Sequence, residues 1–357
     1  MTTVERLQDE IKQAADSIGY QNYLRARQEV LKMQDNALRE EKGASTYWEE
    51  ELAGFGYMLD ASPLIIEKLR HHCYHITGLY EYTYRKHHAH AAKPFAAKLA
   101  LLKKEDRNNL FVPESPILGG YGYDLNGALC NLDTLKFYEC LIAMDRAGFL
   151  NGFRGEGAQK IVAEIGTGWG GFAYQFKTLF PHTTYILVDF PQSFLFSATY
   201  LLTAFPRARA LFASNGIESF AQKDISAYDF IFIPHYGWEH LQFKRPDLLI
   251  NTVSFQEMTT QQVDAYMRKA AHWGIPMVYS MNRERSRHNK ELTSVSEVLR
   301  KYYNLEERKV LSVSPSHLPA QGKERIIQFG KHIAKRLLEK RSGEDRYIYR
   351  HISGKSL

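Results

Sequence analysis

The sequence predicts an α/β protein: a mostly parallel β-sheet with covering helices, preceded by an α-helical N-terminal domain. Three observations carry this. The first 150 residues hold charged amphipathic segments and no run with convincing strand alternation. After the turn-rich segment Asn151–Gly157, short apolar runs alternate with helix-length segments, as expected for parallel strands buried on both faces. The first of those runs passes straight into a glycine turn, Gly166-Thr167-Gly168-Trp169-Gly170-Gly171, that opens a helix.

The elements follow in order. Val4–Ala15 and Tyr20–Glu41 read as amphipathic helices. Ala61–Gly78 has Ser62 and Pro63 at cap and first-turn positions and stops at Gly78, which predicts one helix across the span. A Gly/Pro-rich connector, Pro113–Gly127, leads to a helix over Asp133–Ala147 with Leu135, Tyr138, Leu141 and Ile142 on one face. Strands are expected at Ile161–Ile165, Tyr185–Val188, Phe230–Pro234, Leu248–Val253, Pro276–Ser280, Val310–Val313 and Ile326–Phe329. Helices after the first two run to about Phe180 and Phe205. The division is a helical domain over 1–150, an α/β domain over 151–330 and a basic tail over 331–357.

Composition narrows the class. With 44% apolar, 24% charged and 13% aromatic residues, the chain is globular rather than disordered or fibrous. Cys73, Cys130 and Cys140 are odd in number and have no C-x-x-C spacing, which fits a reducing cytoplasm. The polar start, MTTVERLQDEIKQ, has no apolar signal core, and Asp189, Pro191 and Gln192 break the longest apolar stretch, Tyr185–Phe205. A cytoplasmic protein without a transmembrane segment is expected. Of the net charge of +6, the stretch from Lys331 onward supplies +5, from eight basic and three acidic residues. The remainder is close to neutral, which argues against a nucleic-acid partner.

The glycine turn is the most informative segment. Read as Gly166-x-Gly168-x-x-Gly171 it matches a dinucleotide fingerprint, so NAD(P) must be weighed. Glu164, two residues before the first glycine, argues the other way, because a strand-end carboxylate repels a pyrophosphate. The same carboxylate suits S-adenosylmethionine, which carries an ammonium and a sulfonium and no phosphate. Asp189 ends the next strand and is placed to accept hydrogen bonds from ribose hydroxyls. The plain alternative is that both acids are solvated strand ends.

On these residues the chain resembles the class I S-adenosylmethionine-dependent methyltransferases, and more narrowly a bacterial sugar O-methyltransferase family. The resemblance rests on Glu164–Gly171, on Asp189-Phe190-Pro191, and on Asn251-x-x-Ser254-Phe255-Gln256-Glu257-Met258, and it reaches forward to Leu64–Gly78 and Gly119–Asp133. It implies a Rossmann-like class I sheet, S-adenosylmethionine as cofactor, and transfer of a methyl group to a sugar hydroxyl in polysaccharide biosynthesis. The acceptor is then a nucleotide sugar, glycan or polysaccharide. The cofactor contacts it implies are Glu164, Gly166, Thr167, Gly168, Gly170, Asp189, Phe190 and Asn251.

Methyl transfer to oxygen needs a base beside the acceptor hydroxyl. Leu248–Val253 brings Asn251, Ser254, Gln256 and Glu257 to the carboxyl edge of the sheet, and Glu257 is the first choice for that base; its plain alternative is a cap on the following helix. His235 and His317 are its rivals, since imidazole titrates near neutrality. Asn282 and Arg283 are read with Gln256 as substrate contacts, against the alternative of a solvated loop. Gly119–Asp124, with Tyr121, Tyr123 and Asp124, is read as a hinged lid closing over a sugar, against a plain linker. His71 and His75 share a helix face, but no set of residues completes a metal site, so no metal is expected.

Two other functions are weighed: an NAD(P)-dependent oxidoreductase, and a non-enzymatic helical assembly protein bound to an anionic surface. The N-terminal domain is expected to serve oligomerisation, a lid or substrate contacts, and a homo-oligomer is left open. Lys331–Arg341 reads as a short basic amphipathic helix, giving weak contact with a membrane surface or packing on the α/β domain.

Overall fold

The computed structural model describes residues 2–40, 52–85, 92–155, 159–216, 223–284, 294–311 and 349–357. Thr2 starts helix α1 (Thr3–Ala15) with a capping box: its hydroxyl accepts from the Glu5 N–H, and the Glu5 carboxylate accepts from its own N–H. In α2 (Ile18–Glu40), Tyr23, Ala26, Val30 and Met33 recur at helical spacing and are all buried.

Ser62 and Gly78 bound the next helical region as expected, but the interior is three short turns rather than one helix. These are α3 (Pro63–Ile66), α4 (Leu69–His72) and α5 (Tyr74–Thr77). The breaks fall at Glu67–Lys68 and at Cys73, and the consecutive residues Leu69 and Arg70 are both buried. Helix α6 (Ala92–Glu105) follows.

The Gly/Pro-rich connector holds a small antiparallel hairpin, β1 (Tyr123–Leu125) with β2 (Ala128–Cys130). This corrects the expectation of no strands in the first 150 residues. Strands of three residues are too short to show alternation. The signal was the turn itself: Asn126 and Gly127 both have positive φ, as a two-residue hairpin turn demands. Asn131 then caps α7 (Leu132–Arg146), which is buried on nearly all sides.

The α/β region supplies β3 (Lys160–Ile165), α8 (Gly171–Leu179), β4 (Thr183–Asp189), α9 (Phe194–Ala204), β5 (Ala210–Phe212), β6 (Phe230–Pro234) and β7 (Leu248–Thr252). It continues with α10 (Thr260–His272), β8 (Met277–Arg283), α11 (Val295–Leu299), β9 (Tyr303–Glu307) and β10 (Tyr349–Ser356). The sheet order is β5-β6-β4-β3-β7-β8-β10-β9. All neighbours run parallel except β10, which is antiparallel to both β8 and β9. This is a Rossmann-like, mostly parallel sheet with covering helices, behind a helical N-terminal region.

Residues of the central strands alternate between two cores. Val162, Tyr185, Leu187 and Ile250 face α7, α8 and α9, while Ala163, Ile165, Val188 and Leu249 face α10 and α11. Helix α2 lies along α9 and the β5–β6 edge. There Asn22 donates to Thr203 (3.3 Å), and the Tyr236 hydroxyl donates to the Met33 carbonyl (2.8 Å).

The C-terminal region differs from expectation. Val310 and Leu311 are not in a strand; the rest of that segment, together with Ile326–Phe329 and Lys331–Arg341, lies outside the described residues. Tyr349–Ser356 belongs to the sheet, not to a basic tail. Polar residues on its inward side hid it: His351 is buried, with Nε2 3.4 Å from a Glu139 oxygen and Nδ1 2.6 Å from the Tyr279 hydroxyl. Burial alone lowers this imidazole, but contacts with Cys140 and Glu139 outweigh it and raise the pKa to about 9. A histidine raised in the folded state stabilises fully below its unfolded value of 6.5, and that contribution disappears as pH rises through 9. Thermal melting should therefore fall between pH 6.5 and 9, and His351→Gln should flatten that decline. An equally steep decline in the variant would rule the pair out as its source.

Candidate active site

Strand β3 ends beside β4 on one side and β7 on the other. The chain departs from β3 through β4 and returns on the opposite side at β7, so the loops above β3 diverge and leave a crevice. The glycine turn fills its floor. Gly166, Gly168 and Gly170 all have positive φ, and a Cβ on Gly166 would lie 2.1 Å from the Ser254 hydroxyl oxygen. At this position both backbone conformation and space require glycine.

Asp189 closes the turn from β4. One carboxylate oxygen accepts from the Gly168 N–H (2.8 Å) and the Thr167 hydroxyl (3.3 Å), and the other from the Phe190 N–H (2.7 Å). Burial raises its pKa, and these hydrogen bonds oppose the rise. Beside it is a cavity of about 250 Å³ at the carboxyl ends of β3, β4 and β6, walled on its far side by α10. Gly166, Asp189, Phe190, His235, Trp238 and Tyr266 line it. The Phe190 and His235 rings are 4.5 Å apart at 53°.

Glu164 does not reach this cavity. It lies beneath the turn, fully buried, accepting from the Tyr185 hydroxyl (2.9 Å). Burial raises its pKa to about 8, well above the ordinary carboxylate range. The carboxylate next to the turn's amides is Asp189.

The Asn251–Met258 segment forms a latch. Asn251 donates to the Ile165 carbonyl (2.8 Å), Ser254 donates to the same carbonyl (3.1 Å), and Asn282 donates to Asn251 (2.7 Å). Gln256 accepts from the Arg283 N–H and Nε (3.0 and 3.2 Å), and the Arg283 guanidinium lies over the Tyr349 ring. These residues join β3, β7, β8 and β10 and are not walls of the cavity. Val253, between them, has a φ of 71°, a strained conformation for a β-branched residue. Glu257 is half-buried in the following turn, one residue before Met258, which lines the cavity. His317 lies outside the described residues.

The N-terminal region covers the turn from above. The Trp169 indole donates to Asp133 (3.0 Å) and carries the Arg70 guanidinium 3.4 Å from its ring centre. Arg70 is completely buried and its Nε pairs with Glu114 at 2.7 Å. Ile76 of α5 is so close to Gly168 that a Cβ there would lie 2.9 Å from its methyl carbon. Sequence reasoning missed Arg70, Trp169 and Asp133. Arg70 and Trp169 are 99 residues apart, and no local pattern announces their contact.

The Gly119–Asp124 segment is packed rather than hinged. A Cβ on Gly120 would lie 1.7 Å from the Ser115 carbonyl, and one on Gly122 2.7 Å from Cys130 backbone atoms. Tyr121 and Tyr123 are buried and donate to the Leu79 and Thr83 carbonyls, and Asp124 accepts from the Gly127 N–H. Among the described residues no group of three His, Cys, Asp or Glu side chains is placed to hold a metal. Likewise, no described helix is long and apolar enough to cross a membrane.

No protein-family model matches the chain, and no curated protein matches it. Solved structures similar to it include a Haemonchus contortus phosphoethanolamine N-methyltransferase in complex with S-adenosyl-L-methionine, at 11% identity and TM-score 0.34 over 66% of this chain and 62% of that one. Human N-acetylserotonin methyltransferase in complex with S-adenosylmethionine is similar at 9% identity and TM-score 0.30, over 73% and 66%. An O-methyltransferase family protein from Burkholderia thailandensis is similar at 10% identity and TM-score 0.32, over 63% and 59%. The chain spans less than two thirds of the length of each.

Proposed function

We propose that the protein is an S-adenosylmethionine-dependent O-methyltransferase acting on a sugar hydroxyl. The observation that carries this reading is the cavity beside Asp189, apolar on most sides with the carboxylates of Asp189 and Glu239 in its lining. Its size and lining suit a nucleoside: aromatic rings for an adenine, a carboxylate for ribose hydroxyls. The cofactor would supply an electrophilic methyl group on a sulfonium. Phe190 and His235 would flank the adenine, Asp189 would accept from the ribose, and the latch of Asn251 and Ser254 would hold the turn in shape. A dinucleotide fits less well, because Asp189 already occupies the Gly168 N–H and its charge opposes a pyrophosphate.

With His235 assigned to the nucleoside, Glu257 is the residue proposed to take the acceptor's proton. The sugar acceptor itself is what the likeness of Asn251–Met258 to the sugar O-methyltransferases implies. Both parts are tested by supplying labelled methyl donor with nucleotide sugars and surface glycans and detecting products by mass. Glu257→Gln should lower turnover roughly 100-fold or more, the size expected for a lost general base, with cofactor affinity nearly unchanged. Turnover at the wild-type level would remove Glu257 from the role. Transfer only to non-sugar hydroxyls or to nitrogen would overturn the acceptor class.

A further inference from the structure

Among the described residues, the exposed large aromatic side chains are Tyr57, Tyr80 and Tyr82, which are 43%, 42% and 51% exposed. They are not scattered. Tyr82 and Tyr80 have ring centres 5.5 Å apart, Tyr80 stacks on Tyr74 at 5.0 Å, and Tyr74 stacks on His75 at 4.0 Å. His75 is 5.9 Å from the Tyr57 ring, which meets His72 at 5.8 Å. Six rings thus form one continuous ribbon, while Tyr121 and Tyr123, before and in the neighbouring hairpin, are buried. Tyrosines left open to water in such number mark a binding surface more often than a packing accident.

The ribbon also has a fixed place. Tyr74 and His75 adjoin Ile76, which packs over Gly168, and Leu79 accepts from the Tyr121 hydroxyl. The surface is therefore carried by the segment that covers the glycine turn. Burial lowers the His72 pKa and raises that of Tyr57 to about 12, so both are neutral at pH 7. Glu81 and Arg85 close on each other at 2.8 Å. Ring faces with hydroxyl and imidazole edges complement a ligand that has apolar C–H faces and many hydroxyls. A nucleic acid would need an unpaired basic track beside the rings; in the described stretch Leu79–Arg85 the basic side chain is Arg85, which is paired with Glu81.

We propose that the ribbon Tyr82–Tyr80–Tyr74–His75–Tyr57–His72 is a carbohydrate-binding surface that takes a neutral glycan chain by stacking on its sugar faces. That the bound glycan is the methyl acceptor rests on the function proposed above; the binding does not.

The test reads binding without methyl transfer. The full chain is run in native gels containing dissolved dextran, yeast mannan or galactomannan, with poly(dT) in a parallel gel. The expected result is retardation by at least one neutral polysaccharide. Tyr80→Ala with Tyr82→Ala should weaken it by roughly ten-fold or more, the loss of about one to two ring contacts, whereas the corresponding Phe pair should keep it within about three-fold. Calorimetric binding of S-adenosylmethionine should be the same in all three proteins, which separates lost glycan binding from lost folding. No retardation by any of the polysaccharides, equal retardation of the Ala pair, or retardation by poly(dT) alone would overturn the proposal. Glycan binding without S-adenosylmethionine binding would leave the surface standing and sink the methyltransferase reading instead.

Discussion

Asp189→Ala is expected to abolish measurable S-adenosylmethionine binding while leaving the fold intact. The carboxylate holds the glycine turn through the Gly168 N–H and the Thr167 hydroxyl and faces the cavity at the same time. Its removal leaves a half-buried N–H without its acceptor, frees the turn, and deletes the proposed ribose contact. Hydrogen bonds to a charged group contribute about 1.5–3 kcal/mol each, so losing two corresponds to roughly 100-fold or more in affinity. Calorimetric titration measures the affinity, and a melting curve run in parallel reports folding. A folded Asp189→Ala protein that binds as tightly as wild type would place the cofactor elsewhere.

Arg70→Ala is expected to be the most destabilising single change among the residues described. The guanidinium is fully buried, pairs with Glu114 and lies between the Trp169 and Tyr121 rings. Deleting it strands the Glu114 carboxylate, which is also buried, without its counter-ion. Breaking a buried pair from one side costs about 3–5 kcal/mol, and the ring contacts add to the loss. Urea denaturation should show a large fall in midpoint at unchanged slope. The double variant Arg70→Met with Glu114→Gln should recover much of the loss, because neither buried charge then stands alone. A midpoint within error of wild type for Arg70→Ala would mean that the N-terminal region does not depend on this contact.

The sheet was legible in the sequence wherever a strand is buried on both faces. Tyr185–Val188 and Phe230–Pro234 are continuous apolar runs, Ile161–Ile165 and Leu248–Val253 are apolar except at Glu164, Asn251 and Thr252, and all four lie inside the sheet rather than at its edges. It was not legible where polar groups face inward, as with His351 and Ser353 of β10, or where strands are three residues long, as in β1 and β2. The glycine turn and Asp189 were visible because their spacing is local.

Environment was not visible, and it changed several assignments. Glu164 at the end of an apolar run reads as a site acid, yet it is sealed beneath the turn. Tyr121 and Tyr123 read as open lid residues, yet they are buried, while the exposed rings are those of Tyr57, Tyr80 and Tyr82. The exposed tyrosines sit in or beside the short turns Gly56–Asp60 and Glu81–Tyr84, which flank the broken helical turns of Pro63–Thr77, and no local signal announced either.

The most direct test of the proposed function is calorimetric titration of the 357-residue chain with S-adenosylmethionine and, separately, with NAD(H). The cavity beside Asp189 leads us to expect saturable binding of S-adenosylmethionine at low-micromolar concentration or tighter, and no heat of binding from NAD(H). Binding of NAD(H), or no binding of S-adenosylmethionine by folded protein, would contradict it.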